Sequence, residues 1–456
     1  MQQTRDHTTH AIPAPRGLGP RLLIGLYVAV GLAPLVLAAE QEATAANVWR
    51  GFSSGLVMVG FALMLVQFLL SGRFPGVSGR AGIDLTMRFH QLAAWMVLAF
   101  ILFHPLLYAV PRLLSDGPGA GAATLQRTFA SDGLRTGVIA WVLMLLLVPM
   151  AVWRDRLAIP YEAWRLSHGL GAAAIAGLSL HHTLRVGTFA AYPWMAGFWM
   201  LLTGVALASL VHVYALKPLL QARRPWRVVG NERVAERMWC LSVEPKEGAA
   251  PDFAAGQFAW MNFGHAPWSL TEHPFSIASA PHQRPRISFI VKESGDFTDR
   301  IGQVAPGTTA YLDGPHGSFT LAGHAPAPLV LIAGGVGFAP ILGILRHLAE
   351  TGWPHPVTLI YGNRIAGQIL CPDEISAIAG RIELNTHLVL SEPPEDWQGV
   401  TGELTPEVLA RCLGTADPRA LYFVCGPLGM MDSVEETLVR LGVPPARIIS
   451  ERFKYD

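Results

Sequence analysis

Two apolar stretches of this chain carry histidines near both ends. His90 and His104 stand fourteen residues apart in RFHQLAAWMVLAFILFHPLLY, and His168 stands thirteen and fourteen residues before His181 and His182 in SHGLGAAAIAGLSLHHTL. Ionisable side chains inside hydrocarbon are costly, so their presence there points to function. Fourteen helical residues rise about 21 Å and, at about 100° each, return to nearly the same face. Two such helices side by side place imidazoles at two matching depths, which suits the ligation of two haem irons, one above the other. Iron held by imidazole on both sides is saturated and suited to electron transfer rather than to binding oxygen at the metal. Hydrogen bonding to neighbouring helices would explain a single membrane histidine, but not a pattern repeated on two helices. His90 and His168 then hold an inner haem, and His104 shares an outer one. On an ideal helix the partner of His104 is His182, because His181 lies well off the shared face unless this glycine-rich helix is locally distorted.

The elements that position these rings are six apolar segments, at about 21–39, 52–70, 90–110, 136–153, 168–186 and 195–215. Each is close to the roughly 20 residues needed to cross a hydrocarbon core. The first has no convincing small-residue cleavage site and reads as a retained span rather than a signal peptide. Arg73, Arg80 and Arg88 lie between the second and third segments, Arg154, Arg156 and Arg165 between the fourth and fifth, and Lys217, Arg223, Arg224 and Arg227 after the sixth. The positive-inside rule puts these loops and both termini in the cytoplasm. Arg112, Arg127 and Arg135 run against that bias, diluted over a longer, glycine-rich loop.

Of 456 residues, 51% are hydrophobic and 15% charged. The long apolar runs nearly all precede Leu220, so at least two domains are expected. A net charge of +1 gives no reason to expect a nucleic-acid partner. The four cysteines, Cys240, Cys371, Cys412 and Cys425, fall in the second half without a C-x-x-C. That argues against a disulfide framework, an iron–sulfur cluster or a zinc site, and fits a reducing compartment.

From about Trp226 the pattern changes to short β-rich segments with Gly/Pro turns. AAGQFAWMNF, TEHPFSIASAP, ISFIVKESGDFTDRI and YLDGPHGSFT follow in the order of a small antiparallel flavin barrel. Phe275 offers a ring to pack on isoalloxazine and Ser276 a hydroxyl for its reactive nitrogen. GDFT, with Gly295 and Thr298, offers a turn of backbone N–H groups and a hydroxyl for a pyrophosphate. APLVLIAGGVGFAPILGILRHLAE is a strand, a turn containing Gly334, Gly335 and Gly337, and a helix, although not a G-x-G-x-x-G. Such a turn brings backbone to a phosphate at a helix N-terminus. Strand–helix alternation continues to ALYFVCGPLGMM, where Cys425 ends a strand before Gly426 and Pro427, at the carboxyl edge where open α/β sheets bind ligands. A buried structural role for Cys425 competes with that reading. His316 reads as a loop residue.

Taken together these residues resemble the ferric reductase and NADPH oxidase superfamily, over nearly all the chain from the first span to Asp456. The resemblance implies a membrane all-α six-helix haem bundle at 21–220, after a cytoplasmic tail at 1–20. A ferredoxin-reductase-like module would follow, with an antiparallel β-barrel FAD lobe at 221–325 and an α/β parallel-sheet NAD(P) lobe at 326–456. It implies two haem b, FAD and NADPH as cofactors, with NADH possible. The family's spacing of the second pair implies His181 as the fourth haem ligand, with His182 as the alternative. HPFS resembles the family's flavin motif, which carries over His273, Pro274, Phe275 and Ser276; GDFT carries over Thr298. GGVGFAP resembles its nicotinamide-lobe turn, and CGP the segment facing the nicotinamide. Arg364 in YGNR sits where a 2′-phosphate could be read, a lean toward NADPH. ERFKYD resembles the C-terminal E-x-F, with Phe453 over the flavin face; Tyr455 is the other candidate.

The activity implied is a transmembrane NAD(P)H oxidoreductase of the inner (plasma) membrane, with its dehydrogenase in the cytoplasm. Electrons would pass through FAD and two haems to oxygen, giving superoxide, or to a ferric chelate. An electron-supplying subunit for a periplasmic reductase partner is a competing reading. A haem sensor or channel with a regulatory soluble half is another, and the complete flavin and nicotinamide motif set weighs against it. There is no calcium loop of the D-x-[DN]-x-[DN]-G type, so constitutive activity is expected. A ring stacked on isoalloxazine occupies the place a nicotinamide needs, so it must act as a gate. Phe453→Ala should therefore keep haem and FAD while lengthening nicotinamide residence, and Tyr455→Ala should do little. Unchanged steady-state kinetics in both variants would remove both rings from the flavin.

Overall fold

A computed structural model describes residues 17–41, 48–71, 73–79, 82–157 and 159–452. Phe453 and Tyr455, like Arg80 and the tail up to residue 16, lie outside the described residues. The chain divides into two compact units, one over 17–218 and one beginning at Leu219.

The first unit is helical. Its helices are α1 (Pro20–Ala39), α2 (Val48–Val66), α3 (Pro75–Ser78), α4 (Ile83–Leu107), α5 (Val110–Asp116), α6 (Pro118–Ala130), α7 (Arg135–Val152), α8 (Tyr161–Val186) and α9 (Pro193–Val211). Among the described residues, five helical stretches, Pro20–Ala39, Val48–Val66, Ile83–Asp116, Asp132–Val152 and Pro193–Ala222, are long and apolar enough to cross a membrane. The fifth expected span, α8, has 26 residues but is not among them. Its three histidines, Arg165, Arg185 and small residues dilute its hydropathy.

Neighbouring helices close a ring in the order α1, α2, α4, α7, α8, α9 and back to α1. The two histidine helices, α4 and α8, thus flank α7. Inside, Tyr27, Phe61, Met64, Val97, Met144, Ile175 and Trp199 form one buried cluster, with Phe61 and Trp199 stacked at 4.9 Å. The connection after α4, expected as a glycine-rich loop, is instead largely helical. Gly117, at φ 84°, breaks the chain direction and Pro118 starts α6, whose Ala, Leu, Gln and Arg residues favour helix.

After α10 (Lys217–Ala222) the second unit opens with an antiparallel six-stranded sheet. Its strands are β1 (Trp226–Ala235), β2 (Met238–Pro245), β3 (Phe258–Phe263), β4 (His273–Ser276), β5 (Ile287–Lys292) and β6 (Thr309–His316), in the order β4-β3-β6-β1-β2-β5. A bridge between Ile277 and Phe289 joins the two edges into a barrel. Its inner positions (Val228, Leu241, Val243, Met261, Ile287 and Phe289) are buried, as alternation along strands requires.

The remainder is a parallel sheet of β7 (Leu329–Gly334), β8 (Val357–Asn363), β9 (Leu384–Leu390), β10 (Val400–Thr401), β11 (Leu421–Cys425) and β12 (Ile448–Ser450), ordered β10-β9-β8-β7-β11-β12. Helices α11 (Phe338–Thr351), α12 (Pro372–Ala379), α13 (Pro406–Leu413) and α14 (Leu428–Arg440) connect the strands. β7 and β11 are wholly buried, the continuous apolar run expected of a central parallel strand. Strand order reverses between β7 and β11, and such a switch point opens a ligand crevice.

Candidate functional site

In the helical unit a cavity of about 530 Å³ is lined by His104 and His182, with Arg50, Phe61, Trp141 and Trp199 among its other walls. His104 comes from α4 just before that helix ends. Pro105 has no N–H to give to the Ile101 carbonyl, and the Trp141 indole of α7 donates to it instead, at 3.1 Å. Ser53 of α2 lies 2.9 Å from Nδ1 of His104 and donates to its carbonyl at 2.9 Å.

His182 reaches the cavity across Gly137 of α7. A Cβ on Gly137 would stand 2.4 Å from Nδ1 of His182, so no side chain fits there. His181 is exposed and hydrogen-bonded to the Thr136 hydroxyl at 3.1 Å. His182 thus lines the cavity, and His181, the ligand implied by the family spacing, does not. One residue turns a helical side chain by about 100°, and it is the fourteen-residue spacing that returns to the face of His168.

At the other end His90 and His168 are electrostatic neighbours, as His104 and His182 are. Trp164 stacks on His168 at 5.4 Å. A π-helical turn at His212–Leu216 presents Tyr214, whose hydroxyl donates to the Arg165 carbonyl and would meet a Cβ on Gly169 at 3.1 Å. Nδ1 of His90, His168 and His182 is buried without a hydrogen-bond partner. Four imidazoles in two facing pairs form a donor set that fits two haem irons.

In the barrel, every residue of β4 is half-buried, whereas its partner β3 is buried throughout. HPFS is thus an edge open to a ligand. Phe297 of GDFT packs on His273 at 4.1 Å between ring centroids and on Phe263 at 5.0 Å, bringing the two flavin motifs together. Gly295, at φ 97°, faces open space, and Thr298 accepts the Ser294 N–H at 2.8 Å while its own hydrogen stays available. These residues fit a flavin with its pyrophosphate at the turn.

At the switch point the glycine turn and the CGP segment touch through their backbones. A Cβ on Gly337 would lie 2.4 Å from the Cys425 carbonyl oxygen, and one on Gly426 3.1 Å from Gly334. Gly335, at φ 52°, faces open space just before α11, where a phosphate fits. Cys425 is buried at the end of β11, and Pro427, N-terminal to α14, is exposed. Burial pushes the Cys371 thiol up to about 11 and Cys240 in the same direction, so neither presents a thiolate; neither they nor Cys412 and Cys425 form a disulfide.

Three placements were not foreseen from sequence. Buried Glu451 accepts the Ser318 N–H at 3.2 Å, anchoring the C-terminal segment to the barrel, while Arg452 pairs with Glu435 at 2.9 Å and anchors it to α14. Phe453 follows directly. His316, expected in a loop, ends β6 and is buried 3.1 Å from Asp313. Arg364 lies 3.5 Å from the Glu392 carboxylate, where β8 and β9 end side by side. Two positions 28 apart carry no joint signature in the sequence.

Residues 56–179 match the ferric reductase like transmembrane component, 240–321 an FAD-binding domain and 331–436 the oxidoreductase NAD-binding domain. The chain is 33% identical over 223 residues to ferredoxin–NADP reductase B of Sorangium cellulosum (strain So ce56), covering 47% of this chain and 90% of that protein. It is 32% identical over 221 residues to the reductase component of propane 2-monooxygenase of Mycolicibacterium goodii, covering 47% of this chain and 62% of that one. The solved flavohaem-like FAD/NAD-binding domain of nitric oxide dioxygenase from Vibrio cholerae O1 biovar El Tor superimposes with a TM-score of 0.44 at 24% identity, over 50% of this chain and 97% of that one.

The clearance at Gly137 generates a direct test. Gly137→Val should turn His182 out of the cavity and lower haem content from two per chain to one, measured as the pyridine haemochrome. Two haems with an unaltered spectrum would show that His182 is not a ligand.

Proposed function

Because this chain belongs to the ferric reductase and NADPH oxidase superfamily, with a ferric-reductase-like transmembrane component joined to a ferredoxin-reductase-like FAD and NAD module, we propose that it carries electrons across a membrane from a nicotinamide donor to an acceptor on the far side. The observation that carries this reading is the pairing of histidines at two levels of one helical ring. When bound, FAD supplies the change from a two-electron hydride donor to one-electron transfer, and two haem b supply the path through the bundle.

The roles of the chain's own residues follow. His90 with His168, and His104 with His182, would each hold one haem iron. His273, Pro274, Phe275 and Ser276 line the flavin edge; Gly295 and Thr298 present the pyrophosphate turn. Gly334, Gly335, Gly337, Gly426 and Pro427 admit the nucleotide, with Cys425 beneath it and Phe453 in its path. Six spans, with α8 as the fifth, put the dehydrogenase and N-terminus in the cytoplasm, as the arginine-rich loops favour.

The acceptor proposed is oxygen, reduced by one electron to superoxide. The outer cavity is walled mostly by apolar side chains, including Phe61, Ile101, Met144 and Trp199. Such walls suit the outer haem that His104 and His182 would hold, and the choice of oxygen rests on the resemblance to NADPH oxidases. Constitutive activity is proposed with it.

The donor proposed is NADH. Arg364 pointed to NADPH, but the Glu392 carboxylate beside it opposes a 2′-phosphate and can accept from a ribose 2′-hydroxyl. Glu392→Arg should move the ratio of kcat/KM toward NADPH by about tenfold or more, roughly 1.4 kcal/mol; an unmoved ratio would take the adenosine ribose away from these strand ends.

Purified full-length protein should contain two six-coordinate b-type haems per chain and one FAD. With NADH it should consume oxygen and reduce cytochrome c in a way that superoxide dismutase abolishes. Insensitivity to the dismutase together with faster ferric citrate reduction would favour ferric chelate as acceptor. One haem per chain would remove the two-level path.

A further inference from the structure

The cavity shared by His104 and His182 holds its two imidazoles by unequal means. Ser53 of α2 is fully buried, and its hydroxyl has two partners, both on His104. The carbonyl oxygen of His104, 2.9 Å away, can only accept, so the single hydroxyl hydrogen goes there. Ser53 Oγ must then accept from the ring, also at 2.9 Å, which places a hydrogen on Nδ1. The backbone carbonyl of Ser53, 3.3 Å from the same Nδ1, is a second group that can only accept. Both contacts require one tautomer, with hydrogen on Nδ1 and the lone pair on Nε2. The His104 carbonyl is available because α4 ends there: the cap residue Tyr108 gives its N–H to Leu106.

His182 has no such bond. Its Nδ1 is buried without a partner, and the absent side chain at Gly137 is what admits its ring. A hydrogen bond from the far N–H of a ligating imidazole fixes ring orientation and raises its strength as a donor, and loss of such a partner typically lowers metal affinity by about 10–100-fold.

We propose that Ser53 is the positioning residue of the outer iron site, fixing His104 in one tautomer as the stronger axial ligand and leaving His182 as the ligand that yields first. The proposal rests on the two-haem reading above and deepens it. The plainer account, a hydroxyl that only ties α2 to α4, predicts a stability change shared by the whole bundle.

The test compares full-length wild type with Ser53→Ala, both purified with haem. Haem content, the low-temperature EPR of the ferric state and a redox titration resolving the two haems are recorded. The expected result is two low-spin signals in wild type. In Ser53→Ala one signal and one midpoint potential should shift, the potential upward, and the corresponding haem should be lost about 10–100-fold more readily to an apo-globin trap. The other haem should stay unmoved. Should Ser53→Ala not accumulate, Ser53→Cys, whose thiol is a weak acceptor, is read in the same way. Two unshifted signals and potentials overturn the positioning role and leave the two-haem reading standing. Both haems shifting alike, with a lowered melting temperature, also overturns it and assigns Ser53 to helix packing. A wild type with fewer than two haems overturns both readings together.

Discussion

Polar nitrogen inside an apolar helix ring is the constraint on which this molecule turns. Each buried imidazole needs a partner, and so does each backbone carbonyl that a helix end or a proline releases. Around His104 every such group is met by a neighbouring helix: Trp141 takes the Ile101 carbonyl and Ser53 takes both the carbonyl and the ring of His104. The ring order places α2 on one side of α4 and α7 on the other, so both partners are supplied by adjacent helices. Where partners are missing, on Nδ1 of His90, His168 and His182, the bundle has kept imidazoles that serve something other than its own stability.

The soluble unit solves a related problem with glycine. At the switch point between β7 and β11 the two ligand-facing turns lie in backbone contact, and side chains at Gly334, Gly337 or Gly426 would force them apart. Gly335 differs, with open space beyond it and a positive φ that L-residues rarely adopt. The C-terminal segment is fastened at Glu451 to the barrel and at Arg452 to α14.

The fold was legible where periodicity and punctuation act along the chain. The apolar segments, the strand order of the barrel motifs and the glycine turn of the parallel sheet are all local patterns. Helix geometry pointed to His182, which lines the cavity, and the family's spacing to His181, which is exposed. What could not be read were partnerships across elements. Ser53 and His104 are separated by 51 positions, and Gly137 is one small residue in an apolar run. Arg364 alone suggested a phosphate reader, and only the pairing of β8 with β9 brings Glu392 beside it. The loop after α4 misled because its glycines hid a helix started by Pro118. The reduced hydropathy of α8 has the opposite lesson, since its histidines, which weaken it as a span, are the ones assigned to the proposed haem sites.

All of this leads to one claim, that electrons given by a nicotinamide on one side of a bilayer leave on the other. The most direct measurement places purified protein in sealed vesicles with a membrane-impermeant one-electron acceptor trapped inside and NADH added outside. The account predicts reduction of the trapped acceptor without detergent, and loss of that reduction when His104→Ala removes the outer pair. Reduction that appears only after detergent opens the vesicles, with wild-type protein holding its full cofactor content, would contradict it.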